Sequence, residues 1–194
     1  MLDRVQERSW KRALGVDAGL RLRGAQRALA QWAIVDDYNS VLDLRCKDAR
    51  LLKYLSQKFS LRACGMADDA ADARMLREVL PEAEIFCARP EDIPWREACF
   101  DAVLCQLNKA EDGADHSFLQ EAMRVLKPNG QLLIALEGLP EPLCCAVDFM
   151  GMASMEGRVK PRDLMRGMED AGFEDISYRT VRPMVGLAMG WKRG

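Results

Sequence analysis

The stretch from Ser40 to Leu52, SVLDLRCKDARLL, places the tightest limits on how this chain can fold. Val41 to Leu44 is an apolar run with the length of a strand that is buried on both faces. Asp48 is a predicted N-cap, and the leucines after it give the next segment the apolar face of a helix. We therefore predict a strand that turns sharply into a helix. In an open parallel sheet, such a turn presents N–H groups where ligands bind.

The rest of the chain alternates between strand and helix patterns in the manner of an α/β fold. Further strands are predicted at residues 61–66, 83–88, 100–106, 131–136, 174–181 and 185–191. Further helices are predicted at residues 67–80, 118–126 and 161–171. The apolar positions of the first of these helices are Met75, Leu76, Val79 and Leu80. The last two strands are joined by a short link and must be antiparallel. We predict a mostly parallel, seven-stranded sheet with helices on both faces and a C-terminal antiparallel hairpin.

The chain divides into a predicted helical cap at 1–36 and one α/β domain at 37–194. Apolar residues at spacings of three and four predict an amphipathic helix in the cap: Leu22, Ala25, Leu29 and Trp32. This helix either packs on the sheet or closes over the site as a lid, and the pattern allows both. The first 31 residues carry seven basic and three acidic side chains, which form either a solvated helix face or a contact to an anionic partner.

Charge and cysteine content limit the class of protein. The formal net charge of −2 over 194 residues argues against a nucleic-acid-binding protein. Seven cysteines without a C-x-x-C pair, and no pattern of a signal peptide, predict free thiols in a reducing compartment. No apolar run has the length of a membrane span. We expect a cytoplasmic protein that binds neither membrane nor nucleic acid.

Several phrases of the sequence resemble the class I S-adenosylmethionine-dependent methyltransferases. VLDL at 41–44 is similar to that family's first strand, and EDIPW at 91–95 with FDAV at 100–103 is similar to the entry into its fourth strand. FLQEAMRVLKPNGQLLI at 118–134 resembles its helix, turn and fifth strand, and LMRGMEDAGF at 164–173 resembles its final helix. The resemblance covers nearly the whole chain. It implies a Rossmann-like methyltransferase fold, transferase activity and S-adenosylmethionine as cofactor.

The resemblance also implies where the cofactor binds. The family's turn after the first strand reads acid-x-Gly-x-Gly-x-Gly, and the glycines let the backbone approach the cofactor closely. The matching positions here are Asp43, Arg45, Lys47 and Ala49, so the acid is kept and the three glycines are replaced. The family's motif is therefore degenerate in this sequence.

Other cofactor contacts implied by the resemblance follow the later strands. The acid that holds the ribose matches a position near Met66, with Asp68 close behind it. The acid that meets the adenine is replaced by Arg89, and the next residue, Pro90, has no N–H to donate. The complete set of predicted cofactor-binding residues is Asp43, Arg45, Cys46, Lys47, Asp68, Arg89, Glu91, Asp92 and Gln106.

Two functions are open on this chemistry. In the first, ordinary binding of S-adenosylmethionine is weak or lost, and the protein is a pseudoenzyme whose cations at Arg45, Lys47 and Arg89 favour a phosphate, carboxylate or nucleotide, or which acts through a protein partner. In the second, the protein is an active methyltransferase for a small molecule, because methyl transfer depends mainly on positioning. The substitutions favour the first.

Other side chains have a functional and a structural interpretation. His116, the one histidine, is either a general base or a solvent-facing residue at a helix start. The strand cysteines are better explained as small buried residues than as metal ligands, so we predict no metal site: Cys46, Cys64, Cys87 and Cys105. A group of side chains lines either an apolar substrate wall or the core: Trp95, Met150, Met152 and Met155.

Overall fold

A computed structural model of the protein describes residues 22–108, 116–138 and 159–194. Its strands are β1 (Ser40–Asp43), β2 (Arg62–Ala67), β3 (Glu84–Cys87), β4 (Phe100–Asn108), β5 (Leu126–Glu137), β6 (Glu174–Arg182) and β7 (Val185–Trp191). Its helices are α1 (Gly24–Trp32), α2 (Arg50–Lys58), α3 (Ala70–Val79), α4 (Phe118–Val125) and α5 (Pro161–Asp170). Across these ranges, each helix is too short or too polar to cross a bilayer.

The strands form one sheet in the order β3-β2-β1-β4-β5-β7-β6. Strands β1 to β5 run parallel, and β7 pairs antiparallel with both β5 and β6. The predicted mixed sheet and C-terminal hairpin are confirmed. The strand order reverses between β1 and β4, and ligands of open α/β sheets bind at the carboxyl ends of strands at such a point. Asp43 lies there, paired with Gly65 of β2 and Leu104 of β4.

The core lies on both faces of the sheet because successive side chains of a strand point to opposite sides. All four residues of β1 are buried. Leu42 packs in a cluster with apolar residues of α4 and α5, whereas Val41 packs in a cluster with α1 and α2. The buried positions of α3 join a third cluster beside β2 and β3. The sheet is therefore covered on both faces, as the unbroken apolar run of β1 predicts.

Helix α1 packs on the sheet through the predicted apolar stripe. Ala25 and Leu29 are fully buried against residues of β4, β5 and β7. Trp32 is partly buried beside this cluster and lies under the Arg179 guanidinium, 5.1 Å from its ring centre. The cap at 1–36 and the domain at 37–194 stay predictions, because residues 1–21 lie outside the described part of the chain.

The predicted apolar face of α3 is wrong at two positions. Met75 and Val79 are 39% and 45% exposed. The helix instead buries Ala73 and Leu76, with Leu80 just beyond its end, because these residues face β2 and β3 at a spacing of three and four. Asp69 caps this helix by accepting hydrogen bonds from two N–H groups of its first turn.

Candidate functional site

The elbow, residues 44–49, joins β1 to α2 at the carboxyl edge of the sheet. The N–H groups of its first four residues donate to acceptors inside the protein. The Leu44 N–H donates to the Leu104 carbonyl at 2.9 Å, and the Cys46 N–H donates to the Met66 carbonyl at 2.8 Å. The Arg45 N–H donates to Asp43 Oδ1 at 3.3 Å, and the Lys47 N–H donates to the Arg45 carbonyl at 2.9 Å. Four consecutive amides are thus engaged within the chain.

The backbone of the elbow follows a path that any L-residue can adopt. All of residues 43–49 are described, and none of them has a positive φ. Non-glycine residues in the left-handed region occur elsewhere, at Tyr38, Ala98, Asn129 and Asp175. The positions at which the resemblance implies glycine therefore make no use of glycine's conformational freedom here.

Asp43 is a fully buried carboxyl group at the start of this elbow. Its Oδ1 accepts the Arg45 N–H, while its Oδ2 has no hydrogen-bond partner among the described residues. Burial raises the pKa of Asp43 to about 7, and the nearby charge of Asp48 adds to this, against the opposing effects of the Arg45 N–H and the Cys46 thiol. Burial raises the pKa of the Cys46 thiol as well. The site thus contains an acid that titrates near neutrality.

Asp48 connects the elbow to two helices. Its Oδ1 accepts the Gln26 side-chain amide of α1 at 2.7 Å and the Arg50 N–H of α2 at 3.0 Å. Arg23 Nε lies 3.7 Å from its Oδ2. The prediction of Asp48 as N-cap is wrong by one residue, because α2 begins at Arg50 and Ala49 occupies the cap position. The carboxylate nevertheless accepts an N–H of the first turn.

The other residues predicted to hold a cofactor lie along the same edge of the sheet or just beyond it. Asp68 follows β2 and is exposed. Arg89 follows β3, is exposed, and accepts the Asp92 N–H on its carbonyl at 3.0 Å. Gln106 is partly buried in β4, two residues beyond the partner of Asp43. The roles of these residues stay predictions.

Glu91 and His116 line a separate cavity of about 450 Å³ between the loop after β3 and helices α4 and α5. Ser117, Gln120 and Asp170 line it too. The helices approach closely at Gly167, where a Cβ would lie 3.2 Å from a ring carbon of His116. Sequence reasoning missed Gly167 and Asp170 as companions of His116, since α5 comes from a distant part of the chain.

The EDIPW segment is held by α4. Glu121 Oε2 accepts the Ile93 N–H at 3.0 Å. Arg124 donates to the carbonyls of Trp95 and Ile93 at 2.8 and 2.9 Å. Hydrogen bonds from Arg124 also lower the pKa of Glu121. Two of the phrases that carry the resemblance therefore contact each other and serve packing.

The cysteines of the strands are separate thiols. Cys46, Cys64 and Cys105 are buried, and Cys87 is exposed. Burial raises the pKa of Cys64 to about 12, so this thiol is not activated. Within the described ranges, no three His, Cys, Asp or Glu side chains are grouped to hold a metal. Met150, Met152 and Met155 lie outside the described residues.

Solved structures share this fold over most of the chain. A chain of the complex that contains the Haloferax volcanii Trm112 methyltransferase activator is 18% identical, with a TM-score of 0.68 over 99% of this chain and 93% of that one. Geranyl diphosphate C-methyltransferase from Streptomyces coelicolor, solved with S-adenosyl-L-homocysteine, is 14% identical, with a TM-score of 0.67 over 86% and 74%. The [4+2]-cyclase SpnF is 14% identical, with a TM-score of 0.68 over 87% and 80%.

The sheet order and the elbow at its switch point define the chain as one with the class I methyltransferase fold. Residues 42–134, from β1 into β5, match the family model of the methyltransferase domain. The resemblance predicted from the sequence phrases is confirmed by this match and by the shared fold. A comparison with curated proteins gives no match. Because a cyclase shares the fold, the fold alone does not fix the reaction.

Proposed function

We propose that this methyltransferase-family protein binds S-adenosylmethionine weakly or not at all in the family's usual pose and acts as a binding module without turnover. The observation that carries this proposal is that the backbone amides of the elbow already have hydrogen-bond partners, an arrangement we call the closed elbow. The N–H groups of residues 44–47 all donate to acceptors within the protein. A cofactor that approached this backbone would have to break those bonds or forgo contact with them, and each broken bond costs free energy.

The charges at the carboxyl edge support the same proposal. S-adenosylmethionine carries a sulfonium cation, and cationic side chains replace a glycine at Arg45 and Lys47 and an acid at Arg89. Pro90 follows, where an N–H would serve the adenine ring. Asp68 is exposed and can reach a ribose. The missing contacts are therefore those to the methionine and adenine ends of the cofactor.

Calorimetric titration with S-adenosylmethionine and S-adenosylhomocysteine tests this proposal. We expect no heat of binding at millimolar ligand from the unmodified protein. A dissociation constant in the micromolar range would contradict the proposal directly. Thermal unfolding with and without ligand is the second readout, because a ligand that binds the native state alone raises the melting temperature.

A triple variant tests the reason for the loss. Arg45→Gly, Lys47→Gly and Ala49→Gly together restore the glycines of the family motif and remove two cations. We expect this variant to bind the cofactor at least tenfold more tightly than the parent. Arg74→Gly, Arg96→Gly and Ala71→Gly, at exposed positions away from the elbow, form the matched control. A restored elbow that still fails to bind would show that the glycines are not the cause.

Asp43 supports a second candidate function, an active methyltransferase with a different cofactor pose. Its Oδ2 is buried and has no hydrogen-bond partner among the described residues, which leaves an acceptor for an ammonium group. Asp68 and Glu91 or Asp92 would then hold the ribose and adenine, and His116 would be the general base. Methyl transfer to a small molecule would require the micromolar binding that the titration looks for.

A binding module without turnover would bind either an anionic ligand or a protein partner. The Asp48 carboxylate already accepts an N–H at the start of α2, so an anion would have to bind elsewhere around Arg45, Lys47 and Arg89. One structural neighbour was solved with a methyltransferase activator. Purification that yields no associated protein would count against a partner.

We also propose a cytoplasmic location, because the cysteine count is odd and no C-x-x-C pair is present.

A further inference from the structure

Helix α1 and the elbow are joined through the Asp48 carboxylate. The side-chain amide of Gln26 donates to Asp48 Oδ1 at 2.7 Å, and Gln26 itself is only 2% exposed. Arg23, also at the start of α1, places its Nε 3.7 Å from Asp48 Oδ2. A hydrogen bond from a buried donor to a charged acceptor is stronger than one between neutral groups. The contact therefore restrains the end of the elbow from outside.

Asp48 controls the exit of the elbow into α2. The entrance is fixed to the sheet, since the N–H groups of Leu44 and Cys46 donate to carbonyls of β4 and β2. The exit is fixed by Asp48 Oδ1, which accepts the Arg50 N–H and the Gln26 amide together. If the Asp48 carboxylate moves, the peptide units between Cys46 and Arg50 lose this restraint and keep only the weaker bonds of the Lys47 N–H to the Arg45 carbonyl and of the Cys46 thiol to the Asp48 carbonyl. Gln26 thus acts at the point where the elbow meets its helix.

Helix α1 is a firm support for this contact. The Ala25 N–H donates to Glu137 Oε1 of β5 at 2.9 Å, and Leu29 is fully buried. Beyond the helix, the Ile34 N–H donates to Gln131 Oε1 at 3.1 Å. The segment is therefore attached to the sheet on both sides of Gln26 and along its apolar stripe. Gln26 transmits the position of this fixed helix to Asp48.

We propose that the hydrogen bond from Gln26 to Asp48, here called the latch, holds the elbow in its closed arrangement, in which the amides of residues 44–47 are bonded within the protein. Helix α1 thereby governs whether the elbow can rearrange around a ligand. The latch itself depends on the contacts of Asp48 alone. Its consequence for binding rests on the proposed function, in which the elbow's amides are engaged within the protein. A ligand that binds those amides requires the latch to open first. Its apparent affinity is therefore reduced in proportion to the fraction of molecules whose elbow is open.

Hydrogen exchange of the elbow amides tests the latch without any ligand. In the variant Gln26→Leu, an apolar side chain replaces the amide, so the donor to Asp48 is lost together with the acceptor of the Arg23 N–H. We expect the amides of Lys47 and Arg50, which lie between the sheet-bound Cys46 and helix α2, to exchange roughly tenfold faster or more. We expect amides of β4 and β5 to keep their exchange rates.

Gln131→Leu is the matched control. Gln131 is likewise a buried glutamine, and it holds the same N-terminal segment at its other end by accepting the Ile34 N–H. The control variant loses one hydrogen bond of this segment, from the Ile34 N–H at 3.1 Å, without touching the elbow. Elbow exchange at the parent rate in this control supports the latch. An equal rise in both variants would overturn it, because the effect would then be general loosening.

A second variant keeps the proposal testable if Gln26→Leu does not fold. Asp48→Asn still offers an oxygen to the Arg50 N–H but has lost the charge that strengthens the bond from Gln26. We expect elbow exchange to rise severalfold, and parent rates in this variant would overturn the latch. Cofactor binding by the unmodified protein would contradict the proposed function, yet it would leave these exchange rates as they are, so the two failures are distinguishable.

Discussion

Asp43 could be recognised from the sequence as the acid that follows the first strand, but its protonation could not. Its place after Leu42 at the end of an apolar run identifies it as the acid of a strand–elbow–helix unit. Its protonation follows from neighbours that the local sequence does not supply. Residues of β2 and β4 flank it, and Asp48 adds a second negative charge. The type of residue was therefore predictable, whereas its near-neutral titration required the folded sheet.

The buried carboxyl of Asp43 should make stability fall as the pH rises. Its pKa is raised from 3.8 to about 7, so the native state holds a proton that the unfolded chain releases. The native state then loses about 3 kcal/mol of relative stability between pH 4 and pH 7, with little further change above. Asp43→Asn does not titrate, and we expect it to abolish this loss. Urea unfolding between pH 4 and pH 8 measures the effect.

Asp68→Asn is the control for this pH profile. Asp68 is exposed just beyond the neighbouring strand, so its replacement removes one carboxylate while the buried Asp43 stays in place. An Asp43→Asn protein whose stability still declines from pH 4 to pH 7 by the parental amount would show that other groups cause the decline.

Gln26 could be recognised from the sequence as a buried polar residue. It lies four residues after Leu22 and three before Leu29, on the apolar stripe of the predicted helix. A glutamine on such a stripe requires a buried hydrogen-bond partner. The identity of that partner, Asp48, could not be read from the pattern, because it depends on how α1 crosses the start of α2.

At the scale of elements, the strand, elbow and helix were predictable but the elbow's path was not. The apolar run and the leucines set β1 and α2 through burial, which the sequence records directly. The replacement of three glycines left two possibilities: a strained backbone in the family's path, or a different path. The structure has the second, with no positive φ between residues 43 and 49. Only the surrounding hydrogen bonds decide between them.

Gly65 of β2 fits closely under this elbow. A Cβ there would lie 2.9 Å from Ile85 Cδ1, 3.1 Å from Leu52 Cδ1 and 3.3 Å from Cys46 Cβ. We expect Gly65→Ala to reduce the free energy of unfolding by about 1–3 kcal/mol through overpacking. The reduction would appear in urea unfolding as a lower midpoint with an unchanged slope.

Ile85→Val provides the matching test of that contact. The shorter side chain removes the methyl nearest to the new Cβ and by itself costs roughly 0.5–1.5 kcal/mol. We expect the double variant Gly65→Ala, Ile85→Val to lose less stability than the sum of the single variants. Strict additivity would mean that the Ile85 contact is not what opposes the alanine.

At the scale of the whole molecule, the fold was predictable because its signals are local and repeated. Alternating strand and helix patterns, and one link too short for a crossover, are enough for the mixed sheet. The cavity beside His116 was not predictable, since it joins Glu91, the start of α4 and the end of α5. Sequence distance hides such a site until the sheet order is known. The phrases shared with the family recorded packing, as the contacts of Arg124 show.

Lys192 joins the antiparallel end of the sheet to its parallel part. It follows β7, and its Nζ donates to the carbonyls of Met123 and Leu126 at the end of α4, at 2.8 and 2.7 Å. A cation is favourable at the carboxyl end of a helix, and hydrogen bonds from charged donors exceed neutral ones. We expect Lys192→Met, which keeps the apolar stem, to lower the free energy of unfolding by about 2 kcal/mol.

Arg193→Met is the neighbouring control for this prediction. Arg193 pairs with Glu174 at 2.9 Å, but its side chain is 79% exposed, and such surface pairs contribute roughly 0–1 kcal/mol. Urea unfolding should therefore separate two adjacent cations that differ mainly in what they contact. Equal losses in the two variants would mean that α4 does not depend on the end of β7. A larger loss at Lys192 would show that the hairpin stabilises the parallel part of the sheet, and hence that the methyltransferase fold is one cooperative unit here.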